Sequence, residues 1–456
     1  MRFPIENLRE LVFEAYLVGG SVRDMALKRE PKDIDIVVVN ETPKSMIELG
    51  ARQIAKSFPI FLFDGMKAEF ALACKDRPEA FVPGQYVSLE EDLFRRDLTI
   101  NAMAINRDGV LIDPYGGMND IRQGKLRHVS KYFSVDPLRI FRVARFAAQL
   151  DFTVAQETMD LMKNMVKSNL VELVDPNRLT KEMTAAMLSS KPHRFFEVLE
   201  ETGALARWLP ELSTMKGIPQ RSDYHAEGCV WTHNMMVLNE ASLYSEGLSP
   251  QSKLRIRTAA LFHDIGKTKT PAEYLYDKDG KEIGKHLGHE SPKLMNTMFS
   301  SLSERLIGFP SDVLTFAKLV AVIHQKVHRI NEMSPKGLVK LFHEAGGKKA
   351  LQQESFLDDL EIACRADHMG RLIKLPNGAI QAPVTYPEGE RFKRMMMIVA
   401  SVKEGPIFQE AIADGYSIEV AKDRVHRERL RVLTQHNFPN AMRSTDAMMA
   451  LGTQAR

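Results

Sequence analysis

The chain is poor in cysteine. Its 456 residues hold three, Cys74, Cys229 and Cys364, with no Cys-x-x-Cys pair. That pattern argues against a zinc ribbon or a disulfide framework and fits a reducing compartment, the cytoplasm. No apolar run is long enough to cross a bilayer, so no membrane association is expected. The opening Met1-Arg2-Phe3-Pro4-Ile5-Glu6 lacks the apolar core of a signal peptide. A surplus of one charge is missing as well. Lys plus Arg (62) nearly balance Asp plus Glu (59), for a net charge of +3. A nucleic-acid site would therefore have to arise from local clustering. There is no internal repeat and no low-complexity tract. What remains, 44% hydrophobic and 27% charged residues, fits a soluble globular protein of two to four domains. The 24 methionines read as flexible core filler.

The most informative stretch is Leu17-Val18-Gly19-Gly20-Ser21-Val22-Arg23-Asp24, followed by Asp33-Ile34-Asp35-Ile36-Val37-Val38-Val39. It reads as strand, tight turn, short helix and second strand. Gly19 and Gly20 lack a Cβ, so the backbone can turn sharply and approach a ligand. Helix-start N–H groups and the Arg23 fork are donors suited to phosphate. Strand periodicity puts Asp33 and Asp35 on one face. Two such carboxylates repel unless a cation lies between them, and Mg²⁺ is the usual partner of oxygen ligands and a triphosphate. Either feature alone equally suits a structural turn or a solvated strand edge. Glu69, on a predicted strand Glu69–Ala73, is a candidate third acid. Phe58–Phe63 reads as a further strand, Pro43–Gly50 as a helix and Lys75–Ser88 as a flexible loop.

Further on stands Arg95-Arg96-Asp97-Leu98-Thr99-Ile100-Asn101-Ala102. Paired arginines ahead of an apolar segment can grip phosphate or ribose, or lie on a mixed-charge surface helix. From about residue 134 the pattern turns helical. Asp136 reads as an N-cap, Pro137 suits the first helical position, and Arg139, Arg142 and Arg145 form a basic stripe over Leu138, Phe141 and Phe146. Asp136 and Arg139 share a face. Side by side they could read the pairing edge of C or A, or form only a surface ion pair. The second half carries dispersed histidines and aspartates: His233, His263-Asp264, His289, His324 and Asp367. A histidine beside an aspartate at a helix end can bind a divalent cation. Lys422–Arg431 is rich in basic residues and reads as either a nucleic-acid contact or a solvated helix face.

Together the motifs of the first half resemble the nucleotidyltransferase signature of tRNA CCA-adding enzymes and bacterial poly(A) polymerases. Arg95-Arg96-Asp97-Leu98-Thr99-Ile100-Asn101-Ala102 is close to that family's Arg-Arg-Asp-[Leu/Phe]-Thr-x-Asn-Ala. The resemblance implies that Asp33 and Asp35 are catalytic and hold Mg²⁺. It implies that Gly20, Arg23 and Arg96 bind the triphosphate and ribose, and that Asp97 and Asn101 hold the local backbone. Asp136, Arg139, Arg142 and Arg145 would select and hold the base. The family's Glu-Asp-x-x-Arg motif here reads Val135-Asp136-Pro137-Leu138-Arg139, so the carboxylate that would buttress the arginine is missing. Ile112–Gly117 is a further, structural family marker, and Asp175–Glu182 resembles a neck segment.

His263-Asp264-Ile265-Gly266-Lys267 and the residues around it resemble the HD phosphohydrolase domain. By that resemblance His233, His263, Asp264 and Asp367 are metal ligands, with His263 and Asp264 catalytic. His289 and His324 match positions that take a second metal or phosphate, and Lys267 neutralises phosphate charge. The metal implied is a divalent transition metal such as Ni²⁺.

The expected fold class is α+β. Residues 1–127 form a nucleotidyltransferase head with a small mixed sheet and 128–222 an all-α neck and body. An all-α HD domain over 223–370 and a helical C-terminal region over 371–456 follow, with the domain boundary expected in Leu209–Tyr224. The closest resemblance is to CCA-adding enzymes of gamma-proteobacterial type. The implied partners are tRNA, ATP and CTP, in a monomer or homodimer. The implied activities are C, C and A addition and phosphoester hydrolysis (2′,3′-cyclic phosphodiesterase, 2′-nucleotidase, phosphatase). The alternatives are a narrower output (CC, A or poly(A)) and a phosphohydrolase with a non-catalytic RNA-binding head.

Overall fold

A computed structural model describes residues 6–54, 60–75, 86–436 and 438. Part of the Phe58–Phe63 strand and most of the Lys75–Ser88 loop lie outside these residues. The chain forms two compact units, Met1–Ala186 with Arg194–Arg207, and Met187–His193 with Trp208–Arg456. The main crossing, at Trp208, is next to the Leu209–Tyr224 stretch. The fold is α+β, with its mixed sheet confined to the first unit.

That sheet contains β1 (Glu14–Val18), β2 (Asp35–Val39), β3 (Arg52–Gln53), β4 (Ile60–Leu62), β5 (Glu69–Leu72), β6 (Ala104–Ile105) and β7 (Leu111–Ile112). Their order is β3-β4-β5-β2-β1-β6-β7. β2 runs parallel to β5 and antiparallel to β1. As a central strand it is buried from Ile36 to Val39, which suits its β-branched run. Val37 and Val39 pack with Val18, Leu93 and Ala104 in the head core. The register sets Asp35 beside Glu69 and Leu17 opposite Ile36. The acids therefore sit at the beginning of a rigid central strand.

The Leu138–Leu150 helix buries Leu138, Ile140, Phe141, Val143, Ala144 and Phe146. Arg139, Arg142 and Arg145 are left on the half-exposed stripe. It begins one residue later than the sequence suggests, because Pro137 occupies the cap position. Asp136 still caps it: its Oδ1 accepts from the Leu138 N–H at 3.1 Å.

The second unit is built on the helices Val230–Tyr244, Pro250–Phe262, Ser311–His328 and Phe356–Met369, which pack on one another. Pro250–Phe262 is buried on all sides through Ala259, Ala260, Leu261 and Phe262, as expected of a central helix. Its start is written in Ser249-Pro250, where Ser249 accepts from the Ser252 N–H and proline occupies the first turn. Arg257 on this helix is 1% exposed. It donates to the carbonyls of Met187, Ser189 and Ser242 and to Ser245 Oγ. It thereby satisfies helix-end carbonyls that would otherwise be buried unpaired. The helices Pro387–Ala400, Glu404–Ala413 and Ile418–Gln435 follow a short two-stranded ribbon of Ile373–Lys374 and Ile380–Gln381. No helix among the described residues is long and apolar enough to cross a membrane.

Candidate active site and candidate metal centre

In the first unit a cavity of about 630 Å³ is lined by Gly19, Gly20, Arg23, Asp33, Asp35, Glu69, Arg96, Asp136, Arg139, Arg142 and Arg145. All the nucleotide-site residues expected from the sequence thus face one space. Asp35 is the first residue of β2 and Asp33 precedes the strand. Their backbone is pinned by Ser21, whose hydroxyl donates to the Asp33 carbonyl at 2.9 Å and accepts from the Asp35 N–H at 3.0 Å. Burial raises the pKa of Asp35; Glu69 and Asp33 add to the shift, and Arg96 opposes it. Such a carboxylate is stabilised in its charged form by a cation. Two adjacent carboxylates with a third acid in register are a donor set that fits a hard oxygen-seeking ion.

Of the two glycines, only Gly19 needs to be one. Its φ of 66° and ψ of −130° are closed to other residues. A Cβ there would also come within 3.0 Å of Arg96 Nη1. Gly20 is the first helical residue, and its nearest neighbour would be Arg23 Nη2 at 3.5 Å. The prediction is that Gly19→Ala lowers nucleotide incorporation by roughly 10- to 100-fold, the equivalent of about 1–3 kcal/mol of strain. Gly20→Ala should cost far less. Steady-state kinetics with a single nucleotide checks both.

The arginines are held by partners both near and far in sequence. Arg96 is gripped by Asp92 Oδ2 at 2.9 Å, and Arg95 by Asp92 Oδ1 at 2.5 Å. Burial works to raise the pKa of Asp92, but Arg96 and Arg95 outweigh it and the net shift is downward. Asp97 and Asn101, expected to hold local backbone, do more than that. Asp97 Oδ1 accepts from the Leu98 N–H at 2.8 Å, while Oδ2 accepts from Arg142 Nε, also at 2.8 Å. Asn101 donates to Asp97 at 3.0 Å and accepts from Arg23 Nη1 at 2.8 Å. Arg23, Asn101, Asp97 and Arg142 thus form one hydrogen-bonded chain, with Asp97 and Asn101 buried at its middle.

Asp136 and Arg139 are not paired with each other. Asp136 Oδ2 meets Arg178 at 2.9 Å. Arg139 donates to the carbonyls of Arg95 at 2.6 Å and Tyr132 at 2.9 Å. Main-chain carbonyls therefore steady Arg139 at the motif where Val135 replaces a carboxylate. Arg145 is fixed by Glu182 at 2.5 Å and lies 4.2 Å over the Phe146 ring. Sequence reasoning missed Ser21, Asp92, Arg178 and Glu182 as supports. Only Asp92, three and four residues before the arginines, carried a spacing signal.

In the second unit His233, His263, Asp264, His289, His324 and Asp367 converge, all less than a tenth exposed. Asp264 is central. Its Oδ2 lies 3.2 Å from His263 Nε2 and 3.7 Å from His233 Nε2. Its Oδ1 lies 3.2 Å from His289 Nε2 and 3.6 Å from His324 Nε2. Asp367 Oδ1 completes the first half, 3.2 Å from His233 Nε2 and 3.4 Å from His263 Nε2.

The tautomers are set from outside. The Nδ1 of His263, His289 and His324 meets the carbonyls of Ala260 (2.8 Å), His286 (2.7 Å) and Val320 (3.1 Å). Each Nε2 is then left as a ligand atom. The Nε2 atoms of all three, with Asp264 Oδ1, are buried without a hydrogen-bond partner. Native proteins leave such atoms unpaired where something else occupies them, and this donor set fits one or two divalent metals. Burial disfavours a charged His263, but Asp264 and Asp367 prevail and push its pKa up to about 10. The cluster demands positive charge. Lys267, expected to neutralise phosphate, instead lies 2.6 Å from Asp264 Oδ2 and donates to Gln220 at 2.6 Å.

Sequence reasoning missed Glu227, 3.0 Å from His233 Nδ1, 2.9 Å from His225 Nδ1 and accepting from the Leu372 N–H at 2.8 Å. No local spacing announces it. The basic Lys422–Arg431 segment is not a free cationic face: Arg424, Arg427, Arg429 and Arg431 meet Asp414, Asp423, Glu404 and Glu428.

Three families match the chain: the poly(A) polymerase head domain over residues 15–127, a probable RNA- and SrmB-binding site of polymerase A over 151–216, and the HD domain over 230–371. The multifunctional CCA protein of Paraburkholderia phymatum is 39% identical over 436 residues, 92% of this chain and 97% of its own. That of Cupriavidus metallidurans is 40% identical over 436 residues, 92% and 98% of the two chains. Among solved structures, the Bacillus stearothermophilus CCA-adding enzyme in complex with CTP superposes with a TM-score of 0.59 at 20% identity, covering 95% of this chain and 91% of its own. The Thermotoga maritima CCA-adding enzyme complexed with tRNA gives 0.57 at 17% identity, covering 94% and 90%. At those identities the structures speak for the fold.

Proposed function

Since the chain belongs to the family of multifunctional CCA proteins, we propose that it adds C, C and A to the 3′ end of tRNA from CTP and ATP, and hydrolyses phosphoesters at a second centre. The observation that supports the first activity best is the convergence of Asp33 and Asp35 with Arg23, Arg96, Arg139, Arg142 and Arg145 on one cavity. In this reading Asp33 and Asp35 hold Mg²⁺. Held there, it would supply Lewis acidity toward the RNA 3′ hydroxyl and the departing pyrophosphate. Arg23 and Arg96 bind the triphosphate and ribose, with the Gly19–Gly20 turn giving the backbone close access. Asp136 and Arg139 read the base edge. C and A both offer an amino donor beside a ring-nitrogen acceptor, which one carboxylate and one guanidinium match. Arg139 has N–H groups beyond those its carbonyl partners take, and it is already held in place, so little ordering remains to be done on binding. Arg142 and Arg145 hold the base through the same helix face. tRNA, ATP and CTP are the partners, and the cytoplasm is the compartment in this reading.

In the second unit His233, His263, Asp264 and Asp367 hold a divalent transition metal such as Ni²⁺, with His289 and His324 taking a second metal or phosphate. A metal held by these residues would supply an activated water for phosphoester cleavage. The substrates are 2′,3′-cyclic phosphates, 2′-nucleotides and phosphomonoesters. Lys267 stabilises the ionised form of Asp264.

The test is incorporation on tRNA ending at the discriminator base. CTP alone should add two residues, ATP alone none, and both together C, C and A. On tRNA ending in CC, ATP should add one A. Long A tails would overturn the assignment.

A further inference from the structure

The two oxygens of Asp367 have different surroundings. Oδ1 points at the imidazoles of His233 and His263, while Oδ2 points away and meets His328 Nε2 at 2.6 Å. His328 is one helical turn beyond His324 on the Ser311–His328 helix. Its other nitrogen, Nδ1, is 2.9 Å from the hydroxyl of Tyr386. Tyr386 is 7% exposed and lies beyond the segment that matches the HD domain. Its ring packs on His328 and on His368, centroids 5.5 Å and 4.9 Å away, and His368 accepts from Arg371 Nη2 at 2.8 Å.

We propose that Tyr386 and His328 are positioning residues that make Asp367 a one-oxygen metal ligand, so that the C-terminal region is a working part of the metal centre. This rests on the metal reading of the second unit. At 2.6 Å a carboxylate oxygen requires a proton on His328 Nε2. On the other side of the ring Nδ1 lies 2.9 Å from the Tyr386 hydroxyl, the one side-chain partner that reaches it among the described residues. Tyr386 thus holds the ring in place, and the ring fixes the carboxylate. Chelation through both oxygens would compete with the Oδ2 bond, so Oδ1 is the oxygen left free for the metal. A partner of this kind orients a ligating carboxylate before the ion arrives, and its loss weakens metal binding more than it weakens the fold.

The experiment titrates Ni²⁺ into untagged full-length protein by calorimetry, with melting of the metal-free protein alongside. Tyr386→Phe keeps the ring and removes only the hydroxyl, so the metal-free melt should match the parent while the Ni²⁺ Kd rises about 10-fold. His328→Asn, too short to reach Asp367, should raise it by roughly 10- to 100-fold. His328→Gln places an N–H where Nε2 stood and should recover much of the loss. Incorporation of CTP into tRNA should be unchanged in all three. Parent-like Ni²⁺ affinity in Tyr386→Phe and His328→Asn overturns the proposal. If the parent itself takes up no Ni²⁺ while His263→Ala melts and behaves identically, the metal reading itself falls, and this inference with it.

Discussion

Asp35→Asn will abolish nucleotide addition to tRNA, by on the order of 10³-fold or more, and leave phosphoester hydrolysis intact. Asparagine keeps the shape of the side chain at the head of the central strand and removes only the charge. The loss then reports on charge and not on packing. A second readout separates a chemical defect from a misfolded head. Burial, Glu69 and Asp33 raise the pKa of Asp35 against the pull of Arg96. The folded state therefore binds that proton more tightly than the unfolded chain does, and the ionised group costs stability, more so as pH rises through its raised pKa. Asp35→Asn should accordingly melt no lower than the parent near neutral pH. Loss of addition with an equal or higher Tm supports the assignment. Loss accompanied by a lower Tm does not.

The parts of this protein that were legible in the sequence are those whose partners are near neighbours. Gly19, Asp33 and Asp35 lie within one strand-turn-helix-strand unit, and local backbone rules bring them together. The burial pattern of the Leu138–Leu150 helix follows its 3.6-residue period, so its arginine stripe was readable as well. The supports of those groups were not. Arg145 depends on Glu182, Arg23 on Asn101 and His233 on Glu227, and no periodicity links residues that the fold alone brings into contact. Asp136 and Arg139 show the converse failure. Their spacing places them on one face, but tertiary partners outcompete the pair: Arg178 takes the carboxylate, and the carbonyls of Arg95 and Tyr132 take the guanidinium. A spacing of three allows an ion pair worth only a few tenths of a kcal/mol, too little to prevail over several charge-assisted bonds. The Arg427–Asp423 and Arg431–Glu428 pairs obey the same local rule and were open to it. Arg429–Glu404 was not.

The mirror image of the first prediction concerns Asp264. Asp264→Asn should eliminate hydrolysis of 2′,3′-cyclic phosphates and weaken metal binding by more than 100-fold, beyond the roughly 10- to 100-fold of a residue that only orients a ligand. Nucleotide addition should stay within about twofold of the parent, since the acids that serve it belong to the other compact unit. The effect is large because one carboxylate serves two groups of histidines. Oδ2 faces His233 and His263, and Oδ1 faces His289 and His324, whereas each histidine belongs to one group only. Asp264→Ala is the poorer experiment. It strips Lys267 of its counter-charge in a buried site, leaving Gln220 as its remaining hydrogen-bond acceptor, and an unpaired buried charge costs about 3–5 kcal/mol. Asparagine loses the counter-charge too, but its amide oxygen can still accept from Lys267, so the alanine variant should lower the melting temperature of the metal-free protein more than the asparagine variant does. Hydrolysis surviving in Asp264→Asn would show that the reaction does not run through this cluster.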